Sequence, residues 1–149
     1  METGINFVTE SILLAKERVV STLITTAANW ASGFYEDAAG LWVTTDTTNT
    51  FLTDVLYRRE TIRQAIGRYP NVLVMDAKTY KGLKESTLLL DRIKYTGTNG
   101  NPANVTPQMI AALVEVEKVL IGVAIYSSDE ETLGGTDFSG VDLWETIAT

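Results

Sequence analysis

Asn71-Val-Leu-Val-Met-Asp76 runs directly into Ala77-Lys-Thr-Tyr-Lys-Gly-Leu-Lys84, and this pair decides the fold. Four consecutive apolar residues just after Pro70 read as a short buried-type strand. Asp76 then supplies a side-chain acceptor for the first turn of a helix over 77–84. Leu88, Leu89, Leu90 and Ile93 form a small apolar patch, followed by a positive, turn-rich piece, Asp91-Arg-Ile-Lys-Tyr95. The stretch 95–104 reads as a loop, broken by Gly97, Asn99-Gly100 and Pro102. Thr106-Pro107 restarts a helix, with Thr as cap and Pro at the first helical position. Met109, Ile110, Leu113 and Val114 give that helix its apolar face. Lys118-Val-Leu-Ile-Gly-Val-Ala-Ile-Tyr126 is the best strand pattern in the chain. Its continuous apolar run predicts a strand over 119–126 that is covered on both faces or lies mid-sheet.

Upstream, Phe7, Ile12, Leu13, Leu14, Val19, Val20, Leu23, Ile24 and Ala27 recur mostly at spacings of three, four and seven. That spacing predicts a long amphipathic helix over about 8–28, some 30 Å in length. Asn6 or Thr9 is suited to cap it, and Gly33 to stop it. Residues 34–49 read as a connector: Gly40, a Thr/Asp-rich tract from Thr44 to Asn49, and aromatic anchors at Phe34, Tyr35 and Trp42, with Trp30 just before. A second helix is predicted over 50–67, with Phe51, Leu52, Val55, Leu56, Ile62, Ala65 and Ile66 as its stripe. Arg58, Arg59, Glu60 and Arg63 make its charged face, and Gly67 and Pro70 end it. Residues 127–149 are acidic and Gly-rich, with Val141, Leu143, Trp144 and Ile147 left to pack.

With 149 residues, 45% hydrophobic and 21% charged, the chain suits one compact domain or part of a larger protein. A formal net charge of −7 argues against general nucleic-acid binding, which needs clustered Lys and Arg. There is no Cys and no His, so thiolate chemistry, disulfides, and the commonest general base and metal ligand are all absent. No apolar run approaches bilayer-spanning length, and the N-terminal residues have no signal-peptide pattern.

The remaining candidates for chemistry are weak. Glu115 with Glu117, and Asp129-Glu130-Glu131, do not reproduce a calcium loop. Ser86 near Lys84 has no nucleophile motif around it, and Thr96-Gly-Thr-Asn-Gly100 lacks the ending of a phosphate-binding loop. Arg58-Arg59 read as a salt-bridged solvent face, with Asp54 and Glu60 at helical spacing to offset them.

The order of these segments resembles the major capsid proteins of tailed bacteriophages. Phe7-Val-Thr-Glu-Ser-Ile-Leu-Leu-Ala-Lys-Glu-Arg18 is similar to the start of their spine helix, and Trp30 and Trp42 lie in the Trp-containing connector after it. Residues 50–69 resemble the second helix of the peripheral domain. Pro70-Asn-Val-Leu-Val-Met75 resembles the start of the axial domain most closely, followed by Arg92-Ile-Lys-Tyr95, Val105-Thr106 and Val119-Leu-Ile-Gly-Val-Ala124.

The resemblance implies an α+β, HK97-like capsid fold, shared with encapsulin compartments. A long spine helix belongs to a peripheral domain (1–70 here), and a central sheet flanked by helices to an axial domain (71–149). It implies a non-enzymatic subunit of a phage or prophage head that self-assembles into pentamers and hexamers enclosing DNA. An encapsulin-like shell or a head or tail interaction domain is the alternative. It implies assembly in the bacterial cytoplasm, residence in the virion, and scaffold, portal or capsid protease as partners. It implies no cofactor, no membrane and no sequence-specific DNA binding. The N-terminal arm, the extended loop and the C-terminal return strands of the family have no counterpart here, so a fragment is expected. Expected subunit contacts are Arg58, Arg59 and Arg63 on the second helix, and Tyr95, Thr96, Asn99, Asn101, Asp129, Glu130 and Glu131 at the axial tip.

Overall fold

The computed structural model describes residues 2–38, 40–43, 45–96, 105–127 and 140–144. It is an α+β chain whose contacts gather into two units, one of residues 1–35 with 123–147, the other of residues 36–122.

The first unit is built on α1, Glu2–Thr25. Its Ser and Thr hydroxyls satisfy themselves within the helix: Thr9 donates to the Ile5 carbonyl, Ser11 to Phe7, Thr22 to Arg18 and Thr25 to Ser21, each at 2.9 Å. The helix ends at Thr25, short of the expected Ala28, because Thr26 turns extended. Asn29 Nδ2 and Trp30 Nε1 then fold back to bond the carbonyls of Leu23 and Ile24 at 2.9 and 2.6 Å, satisfying acceptors at the helix end. Two short strands, β3 (Ile125–Tyr126) and β4 (Val141–Asp142), pair antiparallel, and the Leu143 N–H donates to the Ala124 carbonyl at 2.9 Å. They meet α1 at Glu17 and Arg18: Trp144 Nε1 donates to Glu17 at 2.6 Å, and the Arg18 guanidinium lies 4.6 Å from the Tyr126 ring centre. Ile5, Ile12, Val19 and Leu23, which share the opposite face of the helix, stay exposed, as do Phe7 and Leu13.

The second unit holds α2 (Phe51–Ile66), β1 (Val72–Asp76), α3 (Ala77–Glu85), α4 (Thr87–Thr96), α5 (Pro107–Leu113) and β2 (Lys118–Gly122). β1 and β2 pair in parallel, from Val72 opposite Lys118 to Asp76 opposite Gly122. The three helices α3, α4 and α5 fill the crossover that parallel pairing requires. Alternation along the strands sends Leu73, Met75, Val119 and Ile121 into the core and leaves Val72, Val74 and Leu120 exposed. The core gathers Phe51, Met75, Leu83, Leu89, Ile93, Val105, Ile110 and Val114.

Local chemistry sets the helix boundaries. Asn49 Oδ1 accepts the Phe51 N–H at 3.0 Å as α2 begins, and Gly67, at φ +73°, closes it by donating to the Arg63 carbonyl at 2.8 Å. Asp76 accepts the Thr79 N–H at 3.1 Å, and Thr106 Oγ1 accepts that of Met109 at 3.3 Å. Trp42, in a 3-10 turn over Leu41–Val43, packs edge-on to Phe51 with ring centres 5.3 Å apart and donates to Asp54 at 2.9 Å. Gly82 lets that turn approach α3: a Cβ there would stand 2.8 Å from the Val43 Cα.

Three sequence expectations are corrected. The turn-rich reading of Asp91–Tyr95 gives way to α4, because Leu89 and Ile93, four apart on one face, are both buried in the core. Tyr95 and Thr96, expected in the loop over 95–104, are the last residues of that helix, and 97–104 lie outside the described residues. The continuous strand over 119–126 is two strands. β2 stops where β1 stops, at the pair Asp76–Gly122, and the chain crosses into the other unit before β3. Nor is it covered on both faces, since Leu120 and Val123 are exposed.

Candidate subunit-contact surface

The charged face of α2 places Arg58, Arg59 and Arg63 beside three carboxylates of the same chain. Arg58 pairs with Glu36 in the connector. Arg59 reaches Glu115, after α5, at 2.7 Å. Arg63 binds Glu60 one turn back through both Nε and Nη2, the Nε contacts being 2.9 and 3.0 Å. That hydrogen bonding from Arg63, joined by Gln64 and Tyr69, holds the Glu60 carboxyl down at about 2 and pushes the Arg63 guanidinium up. Tyr69 stacks beside both cations, its ring centre 4.0 Å from Arg59 and 5.6 Å from Arg63.

Asp54, expected to offset Arg58 and Arg59, instead accepts from Trp42 and from the Thr50 hydroxyl, at 2.9 and 2.6 Å. Glu60 serves Arg63. The actual partners of Arg58 and Arg59, Glu36 and Glu115, escaped the sequence reading because both lie outside α2, where helical periodicity carries no information about them.

The axial-tip candidates stand differently. Tyr95 and Thr96 are placed by backbone at the end of α4, while Asn99, Asn101, Asp129, Glu130 and Glu131 lie outside the described residues. The structure therefore groups only Arg58, Arg59 and Arg63. One exposed surface was not among the sequence candidates: the face of α1 that carries Ile5, Ile12, Val19 and Leu23.

The Ser86–Lys84 pair is not formed. Ser86 is fully buried with no partner for Oγ among the described residues, and the exposed Lys84 ammonium lies 5.4 Å from the Tyr80 ring centre. Among the described residues no three acids cluster to hold a metal ion, and no helix is long and apolar enough to cross a membrane.

No protein-family model matches the chain. Over 142 residues, 95% of its length, it is 29% identical to the major capsid protein of Burkholderia phage BcepMu, of which it spans 44%. The chain is similar to a phage major capsid protein. The fold agrees: the crystal structure of a phage-related protein from Bordetella bronchiseptica RB50 superposes with a TM-score of 0.75 at 25% identity. That match covers 94% of this chain and 42% of the other. The chain thus spans less than half the length of either of these two proteins, and each match runs through nearly all of it.

Proposed function

We propose that the chain forms part of a structural subunit of a phage or prophage head, one that self-assembles into capsomers of a closed shell around DNA. The observation that carries this reading is the similarity to a major capsid protein along 95% of the chain. The absence of His and Cys from the sequence accords with a building role rather than catalysis. An acidic chain also suits a wall that encloses DNA without gripping it, since each added phosphate contact slows a polymer that must move.

Within this reading the fold is HK97-like. Residues 1–70 serve the peripheral domain, with α1 as spine helix, and 71–149 the axial domain, with the β1–β2 sheet at its centre. Pentamers and hexamers of the subunit form the shell in the host cytoplasm, with scaffold, portal or capsid protease as helpers. No membrane or DNA sequence is recognised. The exposed apolar side of α1 supports an assembling protein, because an aliphatic helix face of that extent is normally covered. The contact set is Arg58, Arg59 and Arg63 together with Tyr95, Thr96, Asn99, Asn101, Asp129, Glu130 and Glu131.

Negative-stain electron microscopy of the complete subunit, expressed alone and with its genomic neighbours, tests the proposal. Closed shells or ring-shaped capsomers are expected. Small monodisperse particles under every condition would overturn it. Charge reversal at Arg58 and Arg59 is expected to weaken shell formation. Since both residues also hold acids of their own chain, shells are scored only for variants whose circular dichroism matches wild type.

A further inference from the structure

Three segments meet at one end of the β1–β2 sheet in the second unit. α2 brings Arg59, the connector after Gly67 brings Tyr69 and Asn71, and the turn after α5 brings Glu115 and Glu117. The Arg59 side chain is 17% exposed, its guanidinium stacked 4.0 Å from the Tyr69 ring centre with Nη1 2.7 Å from the Glu115 carboxylate. Its Nε is buried and has no partner among the described residues. Immediately beside it, the backbone N–H groups of Glu117 and Lys118 both donate to the Asn71 carbonyl, at 3.0 and 3.2 Å, where the sheet begins.

Two features make this corner unusual. Glu115 has φ +54°, the only positive φ at a non-glycine among the described residues. A glutamate is poorly suited to that backbone, which glycine or asparagine adopts at lower cost. What glutamate offers there is its charge, and that charge meets the mostly buried Arg59. The two ends of α2 are also held by different forces. Phe51 at its start is 1% exposed in the core and packs against Trp42. Ile66 at its end is 67% exposed, and the last turn buries no apolar side chain.

We infer that the Arg59–Glu115 pair is a salt-sensitive latch. Closed, it holds the C-terminal half of α2 and the 67–71 connector on the end of the sheet. Open, it frees them while the Phe51 end stays anchored by packing. Glu115 is 65% exposed, so the pair is accessible to screening by salt, which leaves the Phe51 anchor in place. The inference does not depend on the shell reading.

Amide hydrogen exchange on the 149-residue chain tests it, comparing about 50 mM with about 1 M sodium chloride, a change that shortens the screening length severalfold. The reporters are Gly67, bonded to the Arg63 carbonyl, with Glu117 and Lys118, and the reference is Leu90, bonded to the Ser86 carbonyl at 3.0 Å. Arg59→Met keeps the stem against Tyr69 without the charge, and Glu115→Asn tolerates the backbone without the carboxylate. Salt and each variant are expected to speed exchange at the three reporters about three- to fivefold, leaving Leu90 unchanged. Salt should have no further effect on either variant. Unchanged reporters, an equal rise at Leu90, or a salt response that persists in Glu115→Asn would each overturn the latch. So would slower exchange in Glu115→Asn, because relief of backbone strain would then outweigh the pair.

Discussion

Gly82→Ala pits two opposing effects against each other at a place where the geometry decides the winner. Gly82 is buried in the middle of α3, and an alanine there improves helix propensity by about 1 kcal/mol. The new Cβ would meet the Val43 backbone at 2.8 Å from Cα, 3.0 Å from O and 3.1 Å from C. All three neighbours are main chain of the 3-10 turn that carries Trp42, so no side-chain rotamer relieves the contact. The turn must move away from α3 by several tenths of an ångström, and Trp42 with it, loosening its packing on Phe51. Overpacking of this kind costs about 1–3 kcal/mol, leaving a net loss of up to about 2 kcal/mol after the helix gain. For a chain of this length that is a fall in Tm of up to about 8 °C. Urea and thermal unfolding followed by circular dichroism measure it. Gly4→Ala is the control, since Gly4 also lies in a helix but has nothing within 4 Å of its would-be Cβ. It should be neutral or slightly stabilising. A Gly82→Ala protein more stable than wild type by the full helix gain of about 1 kcal/mol would refute the close approach of turn and helix.

Three further outcomes follow from single side chains. Glu60 has its folded pKa depressed to about 2, chiefly by hydrogen bonds from Arg63, so its contribution is present above the ordinary carboxylate value and lost as pH falls towards 2. The stability difference between wild type and Glu60→Gln should therefore shrink below about pH 4.5 and vanish near pH 2; a difference constant across that window contradicts the pairing. Ser86→Ala removes a buried hydroxyl that has no partner among the described residues, so it should be neutral or stabilise by up to about 1 kcal/mol in urea unfolding, and a loss of about 2 kcal/mol or more would show that the hydroxyl is satisfied. Thr106→Ala deletes the acceptor for the Met109 N–H and should cost about 1 kcal/mol, with Thr106→Asn restoring most of it; equal stability of all three would deny Thr106 a capping role.

What the sequence disclosed was mostly local. Asp76, Gly67 and Thr106-Pro107 mark helix ends through chemistry confined to a few neighbouring residues, and the helices follow them closely. The first strand was legible as a short apolar run between Pro70 and a capping Asp. The second was misjudged because apolar continuity says nothing about where a partner strand stops. β1 ends at Asp76, so β2 ends at Gly122, and Val123 onward belongs to another unit. α4 was missed because Asp91-Arg-Ile-Lys looks turn-like by composition, while the burial of Leu89 and Ile93 that favours a helix is a tertiary fact. β4 was missed for the opposite reason: two residues of an acidic, Gly-rich tract pair only because β3 is there to receive them.

The candidate surface was legible to the same local depth. The Arg58-Arg59-Glu60-Arg63 face was found, and with it the expectation of a salt-bridged surface. Glu60, expected to offset the Arg58-Arg59 pair, binds Arg63 instead. Glu36 and Glu115 were beyond reach, since no periodicity joins the connector or the α5 turn to α2. The long helix shows the converse. Its helix was expected, but the unit packs on it at Glu17 and Arg18, leaving Ile12, Val19 and Leu23 of the expected apolar set in the open. For an assembling protein, an amphipathic pattern predicts what is buried in the particle, which need not be buried within one chain.

The most direct test of the shell proposal is a cryo-electron microscopy reconstruction of particles formed by the complete subunit. The account predicts a closed shell whose repeating unit contains this α+β fold, with β1–β2 and α1 recognisable in every copy. Particles without a shell, or a shell whose repeating density does not accommodate this fold, would contradict it.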